Sequence, residues 1–347
     1  MKIIIAAGGT GGHVFPAVCV ASELKKNNIA ILFATDKRGA KYLGSFEKEA
    51  IIQNINTSSR LKLYFSLLIN IVYAIFYLLK SKCDCVIGFG GYPSVPYVLA
   101  AQILRKKTLI HEQNAVIGKA NKLLSLFASK IITSFENTKN LAKSQKVKNI
   151  GMPTRFENEY DSEENLKNKK FTILTFAGSQ GARIFSKLIT DALLSLEKDI
   201  VAYSQVLPED KDFVECQYRK AQIEYKVSDF FHNIGDLYKQ ADLVISRSGA
   251  SSVFEIIGFG KPSILIPYKK SINGDQEENA KFLLKRNAAF VIDEAEISSQ
   301  KLKKIILEVI NNPNQINSMK ENLKKLYIPN ITKKLSDEII SLINSKL

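Results

Sequence analysis

Tryptophan is absent from this 347-residue chain, histidine occurs three times and cysteine four times. The cysteines (Cys19, Cys83, Cys85 and Cys216) form no CxxC pair and are too sparse for a disulfide framework or a zinc site, so they are expected to be reduced and buried. The apolar run from Met1 to Ala7 is too short for a signal-peptide core and meets glycines at once, so the chain is expected to stay in the cytoplasm. Acidic residues are scarce in one half only. Through Thr154 there are 21 Lys plus Arg against 7 Asp plus Glu, whereas the remainder holds 28 against 27; of the net +15, the first part carries +14. A basic half calls for an anionic partner: nucleic acid, a phosphorylated ligand or an acidic membrane surface. No aromatic stacking motif or known DNA-binding pattern accompanies the charge, which leaves nucleic acid remote.

What is present is an ordinary globular composition, 46% hydrophobic and 24% charged, over a length that suggests two domains at roughly 100 to 200 residues each. Short apolar runs end in glycine or small polar clusters and lead into helical patterns: Lys2 to Ala6, Val86 to Ile87, Thr108 to Ile110, Phe171 to Phe176, Leu243 to Ser246 and Ile264 to Pro267. That alternation describes parallel sheets with helices on both faces. Between Gly151 and Lys170 the chain turns charged and poor in large apolar residues, as an interdomain linker would. The expected fold is α/β, with two doubly wound domains facing a cleft and ligands at the carboxyl ends of the strands.

The chemistry-bearing residues fall at those strand ends. Ala7-Gly8-Gly9-Thr10-Gly11-Gly12-His13 opens a helix expected over Val14 to Lys25, and its glycines and free amides suit a phosphate. A dinucleotide fold is the competing reading, with Asp36 at a plausible ribose distance, but the third glycine of GxGxxG is replaced by Val14. Gly88-Phe89-Gly90-Gly91-Tyr92-Pro93-Ser94 and His111-Glu112-Gln113-Asn114 follow two further strands. Ala177-Gly178-Ser179-Gln180-Gly181-Ala182 and Ser246-Arg247-Ser248-Gly249-Ala250 do so in the second half, the latter with Glu255 two turns on, and Gly274 to Ala280 offers amides and carboxylates for sugar hydroxyls.

Taken together, GGTGGHVFPA from Gly8, GFGGYPS from Gly88, HEQN from His111, GMPTR from Gly151, AGSQGA from Ala177, SRSGA from Ser246 and DQEENA from Asp275 resemble the MurG family. These bacterial glycosyltransferases add N-acetylglucosamine to the lipid-linked muramyl-pentapeptide precursor of peptidoglycan. The resemblance implies a GT-B fold of two Rossmann-like domains. Residues 1–154, with a final helix of about 332–347 that crosses back, would take the acceptor and the membrane, and 155–331 the donor. It implies UDP-GlcNAc as donor and undecaprenyl-pyrophosphoryl-MurNAc-pentapeptide as acceptor, at the cytoplasmic face of the inner membrane. Thr10, Gly11, Gly12, Asn114, Arg155, Ser179, Phe231, Ile234, Arg247, Ser248, Gly249, Ala250, Glu255 and Gln276 would bind the donor. Gly9, Gly11, Gly12, Gly90, Gly91 and Tyr92 would meet the acceptor. The implied reaction inverts the anomeric carbon, with His13 as base and His111 and Glu112 as rivals or orienting groups. With no Asp-x-Asp near these turns, neither metal nor cofactor is expected. Another UDP-sugar enzyme of the same fold, such as an epimerase, is the alternative.

Leu63 to Leu79 is apolar over 17 residues except for Ser66 and Asn70. At about 25 Å it falls short of a roughly 30 Å hydrocarbon core, so a transmembrane span is not expected. Lys62, Ser66, Asn70, Tyr73, Tyr77 and Lys80 share one helical stripe, leaving a wide apolar face. One side is expected on the sheet and another in an anionic membrane interface.

Overall fold

A computed structural model describes residues 1–157, 159, 170–178 and 183–345. It divides into two compact units, residues 1–157 with 329–347, and residues 158–328.

The first unit holds seven strands: β1 (Lys2–Ala6), β2 (Ala30–Asp36), β3 (Ala50–Gln53), β4 (Cys85–Gly88), β5 (Lys107–Glu112), β6 (Lys130–Thr133) and β7 (Val147–Asn149). All pair in parallel in the order β3-β2-β1-β4-β5-β6-β7. Ile4 sits between Leu32 and Val86, and Ile3, Ile4 and Ile5 are all fully buried, because helices cover both faces of the central strands. The second unit holds β8 (Phe171–Phe176), β9 (Ile200–Gln205), β10 (Glu224–Ser228), β11 (Leu243–Ser246), β12 (Ser263–Leu265) and β13 (Phe290–Val291), parallel in the order β10-β9-β8-β11-β12-β13. The direction of winding reverses between β1 and β4 in one sheet and between β8 and β11 in the other. Both are therefore Rossmann-like, and each has a switch point where a ligand fits outside the strand ends. The glycine turns lie at the ends of these four strands.

The C-terminal helix Ile331–Asn344 belongs to the first unit and packs against helix Gly11–Lys26. Glu338 pairs with Lys130 and Lys148 on β6 and β7, and Glu157 accepts from the Thr332 backbone N–H at 2.9 Å.

Two expectations change. Of the four free thiols, only Cys83 and Cys85 are buried; Cys19 is half-buried and Cys216 exposed, on the polar side of helix Lys211–Lys220. The apolar segment forms a helix over Arg60–Lys80, 21 residues, because Ser59 caps its start through the Lys62 backbone N–H and the chain stays helical through Lys80. At about 31 Å it is long and apolar enough to cross a bilayer, so length no longer argues against a span. Packing does: Leu67, Ala74 and Leu78 are buried in the unit's own core, and Asn70 Nδ2 donates to the Asn54 carbonyl at 3.1 Å. Ser66 Oγ likewise accepts from the Asn56 N–H at 3.1 Å, so Ser66 and Asn70 of the polar stripe turn toward the chain after β3, while Tyr73 of the stripe and Leu61, Phe65, Leu68, Val72, Phe76 and Leu79 are exposed.

Candidate functional site

At the first switch point the two glycine turns touch. A Cβ on Gly91 would lie 2.8 Å from the Gly8 carbonyl oxygen, and one on Gly8 would lie 2.7 Å from Pro93 Cγ, so only glycine allows this approach. Gly90 and Gly91 both hold positive φ, +83° and +73°. Helix Gly11–Lys26 begins after Thr10, earlier than Val14, and the Thr10 side chain does not cap it. Its first amides face the turn with their partial positive charge unopposed by any acidic residue in the first turn. Tyr92 is exposed beside them.

Asp36, the residue a nicotinamide ribose would need, is already engaged. Its Oδ1 accepts from the Gly9 and Gly39 N–H groups at 3.0 and 2.9 Å, and Arg38 Nε donates to Oδ2 at 3.0 Å. Burial alone would raise its pKa, but these donors outweigh it and hold the carboxylate below its ordinary value. Asp36 thus braces the turn.

His13 sits in the first turn of the helix, half-buried, with Nδ1 3.3 Å from Thr10 Oγ1. Desolvation pushes its pKa from 6.5 down to about 4, against the opposing pull of the Gly8 carbonyl and Asp36. The imidazole is neutral at pH 7, and a neutral imidazole accepts a proton. His111 is also neutral, lowered to about 4 by burial. Both of its ring nitrogens are engaged deep in the unit: Nε2 lies 3.2 Å from the Gly151 carbonyl and Nδ1 3.2 Å from Gln113 Nε2. Glu112 is buried at the end of β5, where Oε1 accepts from the Asn114 N–H (3.0 Å) and Oε2 from the Gly118 N–H (3.0 Å) and Asn121 Nδ2 (2.9 Å). Desolvation raises its pKa despite these donors. The geometry gives His111 and Glu112 the work of holding the strand end and the turn after it. Gln113 and Asn121, absent from the expected site residues, complete this network; Asn121 stands nine residues from Glu112 with no local pattern to announce it.

Arg155 lies in the first unit, with its guanidinium 4.2 Å above the Phe15 ring and 5.1 Å from that of Phe156.

In the second unit the turns are open. A Cβ on Gly178, at φ +80°, or on Gly249 would meet nothing within 4 Å among the described residues. Ser179 lies outside the described residues. Gly249 precedes helix Ala250–Phe259, whose first amides no side chain caps. Glu255 is buried on that helix and accepts from the Tyr238 hydroxyl at 3.4 Å. Ser248 Oγ donates to the Gln276 carbonyl at 2.7 Å, Asn279 Nδ2 donates to the Ser248 carbonyl at 3.1 Å, and Gln276 Oε1 accepts from the Tyr268 N–H at 3.0 Å. The strand-end turn and the start of helix Asp275–Leu284 are thereby one piece. Phe231 and Ile234 lie just before and at the start of helix Ile234–Gln240, Ile234 buried and Phe231 half-buried.

Arg247 departs from its expected part at a diphosphate. It is buried, Nη1 donates to the Ile266 and Pro267 carbonyls at 3.1 and 3.3 Å, Nη2 pairs with Glu294, and Phe185 and Tyr268 flank it at 5.4 and 5.3 Å. Its charge is answered inside the unit. The helix N-terminus at Gly249 and Ala250 offers partial positive charge at this strand end.

Residues 3–133 match the N-terminal domain of glycosyltransferase family 28, and residues 172–335 match its C-terminal domain. A relative from Agrobacterium fabrum, named UDP-N-acetylglucosamine--N-acetylmuramyl-(pentapeptide) pyrophosphoryl-undecaprenol N-acetylglucosamine transferase, is 36% identical over 96% of this chain and 93% of its own length. A Rickettsia bellii protein of the same name is 37% identical over 93% and 95%. Among solved structures, Acinetobacter baumannii MurG superposes with a TM-score of 0.83 at 28% identity, covering 98% of this chain and 99% of that one. A UDP-GlcNAc 2-epimerase from Neisseria meningitidis shares the fold alone, at a TM-score of 0.68 and 14% identity over 98% and 100%.

Proposed function

From the premise that this chain belongs to glycosyltransferase family 28, we propose that it moves N-acetylglucosamine from UDP-GlcNAc to the 4-hydroxyl of the lipid-linked N-acetylmuramyl-pentapeptide, a step of peptidoglycan synthesis. The observation that carries this reading is the pairing of one switch point bearing a neutral imidazole with another bearing an open glycine turn, an uncapped helix N-terminus and a buried carboxylate. The second unit takes the donor. Amides at Gly249 and Ala250 meet the diphosphate, Glu255 accepts the ribose hydroxyls, and Gln276 stands by the sugar.

The first unit takes the acceptor at Gly9, Gly11, Gly12, Gly90, Gly91 and Tyr92. His13 removes the proton of the muramyl 4-hydroxyl, whose oxygen bonds to the anomeric carbon as the bond to UDP breaks and its electron pair leaves with the diphosphate. Configuration inverts, and the helix amides stabilise the leaving charge. The direct test is transfer of labelled GlcNAc to the lipid acceptor, with a control lacking acceptor. Transfer is expected only when the acceptor is present; conversion of UDP-GlcNAc without it marks an epimerase and overturns the reading.

The reaction is placed at an anionic membrane face, to which the protein binds peripherally. The exposed apolar side of helix Arg60–Lys80 supports this, together with exposed Leu126 and Phe127 and the basic charge of the first 154 residues. Each Lys or Arg near such a surface contributes about 1 kcal/mol. Vesicles containing anionic lipid are expected to retain the protein, and retention indifferent to salt and lipid charge removes the electrostatic part.

A further inference from the structure

Behind His13 lies a buried amide with only one workable orientation. Gln113 Nε2 donates to the Phe89 carbonyl at 2.9 Å and to His111 Nδ1 at 3.2 Å. A carbonyl only accepts, so the amide nitrogen must face Phe89 and the oxygen the other way. The Gly151 carbonyl opposite His111 Nε2 also only accepts, which puts the His111 hydrogen on Nε2 and leaves Nδ1 to receive Gln113. The chain from Phe89 through Gln113 and His111 to Gly151 closes in this sense alone.

The remaining atom is Gln113 Oε1, buried and without a hydrogen-bond partner among the described residues. A Cβ built on Gly90 would lie 3.4 Å from this oxygen, 3.4 Å from His13 Nε2 and 3.1 Å from His13 Cδ2. The oxygen and the imidazole edge thus border the same space over Gly90, which has no side chain to fill it. An unanswered buried acceptor is costly, and a positive charge formed beside it would be stabilised by it.

We propose that Gln113 is a positioning residue for His13: its unpaired carbonyl oxygen, which with the Nε2 edge of the ring borders the space over Gly90, stabilises the imidazolium formed when His13 takes the acceptor proton. This rests on His13 as the base. The proton passes from the acceptor hydroxyl to His13 and then to solvent, and Gln113 stays neutral throughout. Its donation to Phe89 and His111 polarises the same amide and strengthens its oxygen as an acceptor. Among the described residues the ring also meets Thr10 Oγ1, 3.3 Å from Nδ1, the Gly8 carbonyl, and Asp36 with its partner Arg38 at the end of β2; His111 on β5 is locked neutral.

The test compares wild type with Gln113→Leu. Loss of the dipole is expected to lower kcat about tenfold at pH 7, to leave KM for UDP-GlcNAc unchanged, and to move the His13 titration about one pH unit lower. An equal loss at every pH with the titration unmoved means a merely structural role and overturns the proposal. Should the Leu variant fail to fold, ring nitrogen NMR on the unaltered protein decides. His111 is expected as the Nε2–H tautomer; the Nδ1–H tautomer requires the opposite amide orientation and sinks the proposal. Near-wild-type activity in His13→Ala would instead remove the base assignment, and the His111 tautomer would still report separately on the amide.

Discussion

The two units wind their sheets in the same order and place glycine turns at the same two central strand ends, yet those glycines serve opposite needs. In the first unit a Cβ on Gly91 would press on the Gly8 carbonyl oxygen at 2.8 Å and one on Gly8 on the Pro93 ring at 2.7 Å, so both must be glycine. In the second, a Cβ on Gly178 or Gly249 would meet nothing within 4 Å among the described residues. Crowded turns build a rigid wall behind His13; open turns leave room for a ligand to approach the amides. The polar residues divide in the same way. Around β5 the network of His111, Glu112, Gln113 and Asn121 is buried and mostly paired, and it holds the strand end and the turn after it in place. At the end of β11 a cation is turned inward to Glu294, and the helix terminus is left to face an anion. One fold carries two chemistries because function resides in the strand-end residues.

The strongest break in this comparison is His13→Ala. It is expected to lower kcat by about 10²- to 10⁴-fold with a far smaller effect on KM for UDP-GlcNAc, since the proposed base lies in the first unit and the proposed diphosphate, ribose and sugar contacts at Gly249, Ala250, Glu255 and Gln276 lie in the second. Steady-state transfer kinetics check it, and a change confined to the donor KM would reverse the assignment of the units.

Arg247→Ala is expected to act on stability: removing one partner of a buried, hydrogen-bonded ion pair costs about 3–5 kcal/mol. Thermal unfolding should register the loss. A raised donor KM with an unchanged Tm would instead return Arg247 to the diphosphate.

Phe65→Asp together with Phe76→Asp is a milder change, because both side chains are exposed and the fold does not need them. Vesicle binding should weaken by about 1.5–3 kcal/mol per aromatic side chain removed from the interface, with transfer to a detergent-solubilised acceptor retained. Retained vesicle binding would move the membrane face elsewhere on the unit.

The smallest effect concerns Glu338. Burial alone would raise its pKa, but Lys130 and Lys148 outweigh that and hold it below 4.5. A depressed folded pKa contributes stability above the unfolded value that is lost as pH falls through the folded one. Glu338→Gln should therefore unfold more readily than wild type near neutrality, the gap closing below about pH 4. Parallel acid-unfolding curves for the two proteins would deny the triad any share in docking the C-terminal helix.

Much of the architecture was legible without coordinates. Apolar runs ending in glycine marked β1, β4, β8 and β11 because a strand buried on both faces must be continuously apolar, and its turn must let a ligand or another backbone come close. The strands β3, β7, β10 and β13 were not legible: β3, β7 and β13 are short, β10 alternates polar and apolar residues, and all are partly exposed with no such run. The helix over Arg60–Lys80 was legible as apolar, but its length and the inward turn of Ser66 and Asn70 were not, since both depend on a cap and on chain segments after β3.

What the sequence determined by itself is therefore local and periodic: the strand and turn units, the glycine and histidine positions, and the basic first half. Only the tertiary structure decided which partner each polar group takes. His111 meets Gly151 across 40 residues, Arg247 meets Glu294 across 47, and Asp36 meets Gly9 across 27. The reason is physical: a buried donor or acceptor must be paired wherever strand order happens to bring a mate, and that order is set by the packing of whole sheets.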